Sequence, residues 1–124
     1  MKIASILILT ITIITGCSIS PSESEMDKLQ DINRKLNIIT SSPKAFSNPY
    51  KYVEEHRNEF EFLVAQRDLT LNHFLNEFKV SENDGLKEFV MAIVCVEILA
   101  EKNPVEDWES GRAWYNSYQK AKSK

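Results

Sequence analysis

The chain has 124 residues, with 15 Lys and Arg against 18 Asp and Glu, three Gly, four Pro and two Cys. That leaves room for one domain with a single core. The acidic balance, and the lack of any basic run beyond Lys120, Lys122 and Lys124, argue against a nucleic-acid partner; so few Gly and Pro argue against an all-β sandwich or a Gly-rich phosphate loop.

Met1 and Lys2 precede an apolar run over residues 3–15, which leads into Ile14-Thr15-Gly16-Cys17. The run is shorter than the roughly twenty residues a membrane span takes, and it has the proportions of a signal peptide. The stretch resembles the lipobox of bacterial lipoproteins, in which an aliphatic residue, a small or β-branched residue and Gly or Ala stand directly before a Cys. The resemblance implies cleavage between Gly16 and Cys17, acylation of the Cys17 sulfur, and residence on the outer face of the bacterial cytoplasmic membrane. In a Gram-negative host Ser18 would fit export to the outer membrane. Each acyl chain contributes about 0.8 kcal/mol per buried methylene, so the two or three chains of such a lipid make a stable anchor. The alternative is an ordinary secretory signal or a retained span. With Cys17 carrying lipid, Cys95 has no disulfide partner, and its place between Val94 and Val96 reads as an inert core thiol.

Residues 18–23 read as a short tether containing Ser and Pro. From Ser24, with Asp27 three positions on, Met26, Leu29, Ile32 or Asn33, Leu36 and Ile39 recur at helical spacing to an end near Thr40. A loop over residues 41–48 follows, after which Asn48 caps and Pro49 takes the first helical position. Tyr50, Val53, Phe60, Leu63 and Val64 form the apolar side of the next segment. Asn58 and Glu61 make a capping box there, which leaves open whether residues 49–65 are one helix or two meeting near Arg57 and Asn58. Leu71, Phe74, Leu75 and Phe78 predict a helix over residues 69–79.

Residues 81–85 are the turn into the next helix, with Ser81, Asn83 or Asp84 as its cap. Residues 86–100, LKEFVMAIVCVEILA, contain twelve apolar residues, and 89–96 are apolar around the whole circumference, which predicts a central helix with neighbours on most sides. Asn103-Pro104 stops it. Ser110 caps a last helix with Trp114, Tyr115 and Tyr118 and a basic end. The expectation is an all-α domain over residues 24–124, about five helices around the central one, after a signal peptide (1–16) and a lipidated tether (17–23).

The pair of helices over 69–79 and 86–100 is similar to one HEAT-type hairpin in the spacing of Leu71, Leu75 and Phe78 and of Ala92, Cys95 and Leu99. No second copy follows, so the likeness is one of packing. The stretch from Asn48-Pro49-Tyr50 to Trp114-Tyr115 also resembles a small helical domain of exported proteins in low-GC Gram-positive bacteria. Gly85-Leu86-Lys87-Glu88-Phe89 and Ser110-Gly111-Arg112 carry that resemblance, which implies no activity.

The chain has no Ser-His-Asp order, paired-Cys motif, GxGxxG or GxxxxGK. His56 and His73 fit no HExxH pattern and read as solvated helix-surface residues, the alternative being a metal or catalytic site shared with nearby carboxylates. Neither metal nor cofactor is expected, nor is an enzyme. Glu97 interrupts the apolar helix and reads as a partly buried polar anchor that needs Arg112, Trp108 or a Tyr hydroxyl, with a ligand role as the alternative. Trp108, Arg112, Trp114, Tyr115 and Tyr118 form a candidate interaction surface, because Tyr, Trp and Arg dominate interface energetics. Alternatively, Trp114 and Tyr118 dock the last helix onto the core and Tyr115 is the exposed one. The expected function is that of a lipid-anchored, non-catalytic module for an envelope or exported protein partner. The alternative is an accessory lipoprotein that binds a small molecule or peptide, which requires a pocket beside the central helix.

Overall fold

The computed structural model describes residues 22–124; the signal segment, the Gly16 and Cys17 cleavage site and the lipid-bearing Cys17 lie outside the described residues. Those described form an all-α domain: α1 (Glu23–Thr40), α2 (Pro49–Glu55), α3 (Arg57–Ala65), α4 (Asp68–Val80), α5 (Leu86–Leu99), a 3-10 turn (Ala100–Lys102) and α6 (Gly111–Lys122). None of these helices is long and apolar enough to cross a membrane.

The apolar run becomes α5, and α5 touches all five other helices. Val90, Met91, Ala92, Val94 and Cys95 are buried, with Phe74 and Phe78 of α4, Leu63 of α3, Ile32 and Ile39 of α1 and Trp114 of α6 closed around them. Burial pushes the Cys95 thiol far above its ordinary range, because a thiolate would be stranded without solvent or a countercharge. α1 lies mainly against α3 and places Ile32, Leu36 and Ile39 in the core.

Several boundaries differ from the sequence expectation, each for a local reason. α1 starts one turn's fraction earlier, because Ser22 rather than Ser24 caps it: its Oγ accepts from the Glu25 N–H at 3.3 Å. The helical domain therefore reaches back into the stretch read as tether. The segment after Asn48 is two helices, with Asn48 Oδ1 accepting from the Tyr50 N–H at 3.1 Å. Their break is at His56 and does not use the Asn58/Glu61 box. His56 leaves helical geometry (φ −124°, ψ 49°), its Nδ1–H donates to the Tyr52 carbonyl at 3.0 Å, and Glu61 pairs with Arg57 instead.

α5 begins after Gly85, not after Asn83 or Asp84. The Gly85 N–H donates to Glu88 Oε2 at 3.0 Å, which leaves Asp84 free to accept from the Arg112 N–H of α6 at 3.2 Å. Beyond the 3-10 turn, Asn103 organises the connector. Its Nδ2 donates to the Val105 carbonyl, and its Oδ1 accepts from both the Val105 N–H and the Trp114 indole N–H, all within 3.2 Å. The buried indole thus has the partner it requires.

α6 crosses α5 at backbone contact. A Cβ on Gly111 would stand 2.1 Å from the Glu88 carbonyl oxygen and 2.8 Å from the Phe89 nitrogen, both of them backbone atoms that no rotamer change can move. At Gly85, by contrast, the nearest atom to such a Cβ is the mobile end of the Glu88 side chain at 3.7 Å. Gly111→Ala should therefore lower the unfolding free energy by about 3 kcal/mol or more, and Gly85→Ala by less than about 1 kcal/mol. Urea denaturation of the two variants measures both.

Candidate functional site

The aromatic residues near the C-terminus form a packed cluster and not a surface. Trp114 is fully buried and Tyr118 nearly so, their rings stacked at 5.1 Å. Tyr115, expected to be exposed, is half-buried and stacks on Phe78 at 5.1 Å and 12°. Trp108 lies half-buried against Phe89 at 4.8 Å. Arg112 is turned inward over Phe78 and Tyr115. Its Nη1–H donates to the Phe78 carbonyl at 2.6 Å, and Nη2 donates to the carbonyls of Ser81 and Asn83. Those are carbonyls at and just past the end of α4, where a cation also meets the negative end of the helix dipole. Docking the last helix is what this cluster does, and it leaves no contiguous aromatic face for a partner.

The two carboxylates of α5 are placed the other way round from the sequence expectation. Glu97 is exposed and makes none of the contacts expected of a buried anchor; the buried carboxylate is Glu88, 9% exposed, held by the Gly85 N–H. Seven residues separate Glu88 from Cys95, so it shares the covered row of α5 with Ala92 and Cys95. Glu97, four residues past Ile93, follows the opposite row.

Each histidine is engaged locally. His56 bonds the α2 backbone, and the Nε2–H of His73 donates to Asn33 Oδ1 on α1 at 2.8 Å. They share no partner and line no common cavity. Among the described residues no group of three His, Cys, Asp or Glu side chains is placed to hold a metal ion. Burial lowers the His73 pKa from its usual 6.5, against the raising effect of Glu77 and with a smaller lowering one from Lys87.

Beside the central helix lies an open groove of about 490 Å³, within the rough 300–1,000 Å³ range of ligand sites. Three helices build it. α2 supplies Tyr50, Val53 and Glu54, and α3 supplies Arg57, Phe60, Glu61, Val64 and Ala65, which at i, i+3, i+4, i+7 and i+8 form one stripe along its full length. Ile93 and Glu97 of α5 complete it. The floor is apolar, from the outer edges of the core residues Val53, Phe60 and Ile93, each under 10% exposed, together with half-buried Val64, and each helix contributes one carboxylate: Glu54, Glu61 and Glu97. Tyr50, 47% exposed, stands at the rim with its ring held edge-on by Phe89 at 5.7 Å. Of the residues singled out in the sequence only Glu97 reaches this groove. In the apolar series from Tyr50 to Val64, the sequence's core residues Val53, Phe60 and Leu63 are buried, while exposed Tyr50 and half-buried Val64 open onto the groove.

A second depression of about 580 Å³, between α4, the 3-10 turn and α6, is lined by Arg67, Lys102 and Lys122 together with Asp68 and Glu101. Its charges are mixed and its character is not selective. Arg67 and Ala100, which border it, are the non-glycine residues with positive φ among the described residues, 50° and 49°.

No protein family, curated protein or solved structure matches this chain.

Two outcomes follow for the polar contacts. Arg112→Lys keeps the charge but loses the fork that spans three carbonyls, and should cost about 1–3 kcal/mol in urea denaturation. Because His73 is held neutral in the fold, the unfolded chain takes up its proton first. Its contribution to stability is full above about pH 6.5 and is lost as pH falls through the depressed folded value. Denaturation midpoints followed from about pH 7 down to about pH 5 should drop for the natural chain and drop less for His73→Gln.

Proposed function

We propose that this protein is a lipid-anchored envelope protein, held to the membrane by acyl chains on Cys17, whose helical domain acts as a non-catalytic interaction module. The groove between α2, α3 and α5 is the surface it offers to an exported or envelope protein. The lipobox-like Ile14-Thr15-Gly16-Cys17 supports the anchor. The groove is the observation that carries the binding role, since the aromatic cluster of residues 108–118 is taken up in docking α6.

An accessory role in small-molecule binding is the second reading, because an apolar depression with Tyr50 and Glu97 does stand beside the central helix. The groove is partly open to solvent, however, whereas small-ligand sites typically enclose about 70–90% of the ligand surface. A macromolecular partner fits an open trough better.

Photo-crosslinking in the native cell tests the reading. A reactive residue at Tyr50 should give a discrete protein adduct in the membrane fraction, and one at exposed Lys28 on α1 should not. Cys17→Ala should release the domain from that fraction. Absence of a Tyr50 adduct would remove the groove from the proposal, and membrane retention of Cys17→Ala would remove the lipid anchor.

A further inference from the structure

We infer that the groove receives a cationic amphipathic helix, so that the partner is a protein segment presenting Leu- or Phe-like anchors flanked by Lys and Arg. This rests on the reading of the groove as the binding face and adds the class of partner.

The helical form follows from the walls. α2, α3 and α5 satisfy their own backbone groups, so the groove offers no sheet edge to an extended peptide, whose N–H and C=O groups would lie unpaired on the apolar floor of Val53, Phe60, Val64 and Ile93. A helix brings its backbone already paired and meets the floor with side chains alone, the i, i+3, i+4, i+7 mode of groove binding. The stripe on α3 runs for nine residues, about 13 Å, which matches roughly two to three turns of a docked helix.

The charge follows from the rim. Glu54, Glu61 and Glu97 stand on three different helices around the floor, and Arg57 is the one cation that lines it. Arg57 is already shared with Glu61 at 3.6 Å, and Glu54 faces Lys51 at 3.2 Å; both pairs are solvent-exposed and so are easily exchanged for a partner's cations. Glu97 has no ion pair among the described residues. Glu55 and Glu59 add to the acidity of the α2–α3 junction. No trio of these acids converges tightly enough to hold a metal ion, which spreads the negative charge along the trough. A small cation would neutralise one point of such a rim, whereas a helix with several basic residues meets all of it.

The experiment uses the full-length protein in detergent and a fluorescent peptide of about fourteen residues of Leu and Lys in amphipathic helical order. A peptide with Glu in place of Lys is the control. The Lys peptide should bind, shift the methyl signals of Val53, Val64 and Ile93, weaken as salt rises, and lose about tenfold in affinity against the double variant Glu54→Lys, Glu97→Lys, whose sites are exposed and outside the core. The Glu peptide should not bind. Equal binding of both peptides, methyl shifts elsewhere in the domain, or no binding of the Lys peptide would each overturn the inference. If the Tyr50 crosslink persists under any of those results, the groove remains a binding face and only the partner class falls. If the crosslink is also absent, both fall.

Discussion

The close approach of α6 to the backbone of α5 at Gly111 sets the arrangement of half the domain. Because no side chain intervenes there, the α6 N-terminus lies directly on the Glu88 carbonyl. Neighbouring polar groups then interlock around that contact. Glu88 holds the Gly85 N–H, Asp84 receives the Arg112 N–H, and the Arg112 guanidinium gathers the carbonyls of Phe78, Ser81 and Asn83. The end of α4, the start of α5 and the start of α6 are thereby joined within a few residues of one another. Trp114 is carried into the core by the same placement and finds Asn103 on the connector.

The groove is the other side of that arrangement. With α6 and α4 fixed on one side of α5, the row of Ile93 and Glu97 is left to α2 and α3. Those two are short because the chain breaks at His56, and two short helices line a concave face where one straight helix would lie flat. Such a trough pairs an apolar floor with a rim of carboxylates.

Much of the architecture is legible in the sequence because it depends on local chemistry. The apolar run marks α5, Asn48-Pro49 and Ser110 mark two helix starts, and Asn103-Pro104 marks a stop. The errors arise where long-range packing decides. Glu97 looks like the anomalous acid in the run, yet Glu88, hidden near the polar start of the helix, is the one buried, since only the position of α6 determines which row is covered. Likewise Tyr, Trp and Arg crowd residues 108–118 both in an interface and in a docked helix, and the composition is the same in either case. Gly111, which permits the docking, carries no side chain by which the pattern could announce it. The groove is illegible for a related reason: a stripe that lines a groove and a stripe that faces a core share one periodicity.

The central helix also has a consequence before the fold exists. Residues 89–96, FVMAIVCV, are uncharged, free of Pro and Gly and rich in β-branched side chains, which is the composition of a segment prone to pair with its own kind in extended form. Inside α5 every such contact is pre-empted by helix and core. In a nascent or unfolded chain nothing covers it. Lys87 and Glu88 on one side and Glu97 on the other then act as gatekeepers, charges that make stacked copies repel or desolvate unfavourably. Glu97, which anchors nothing in the folded core, has in that earlier state a reason to stand where it does.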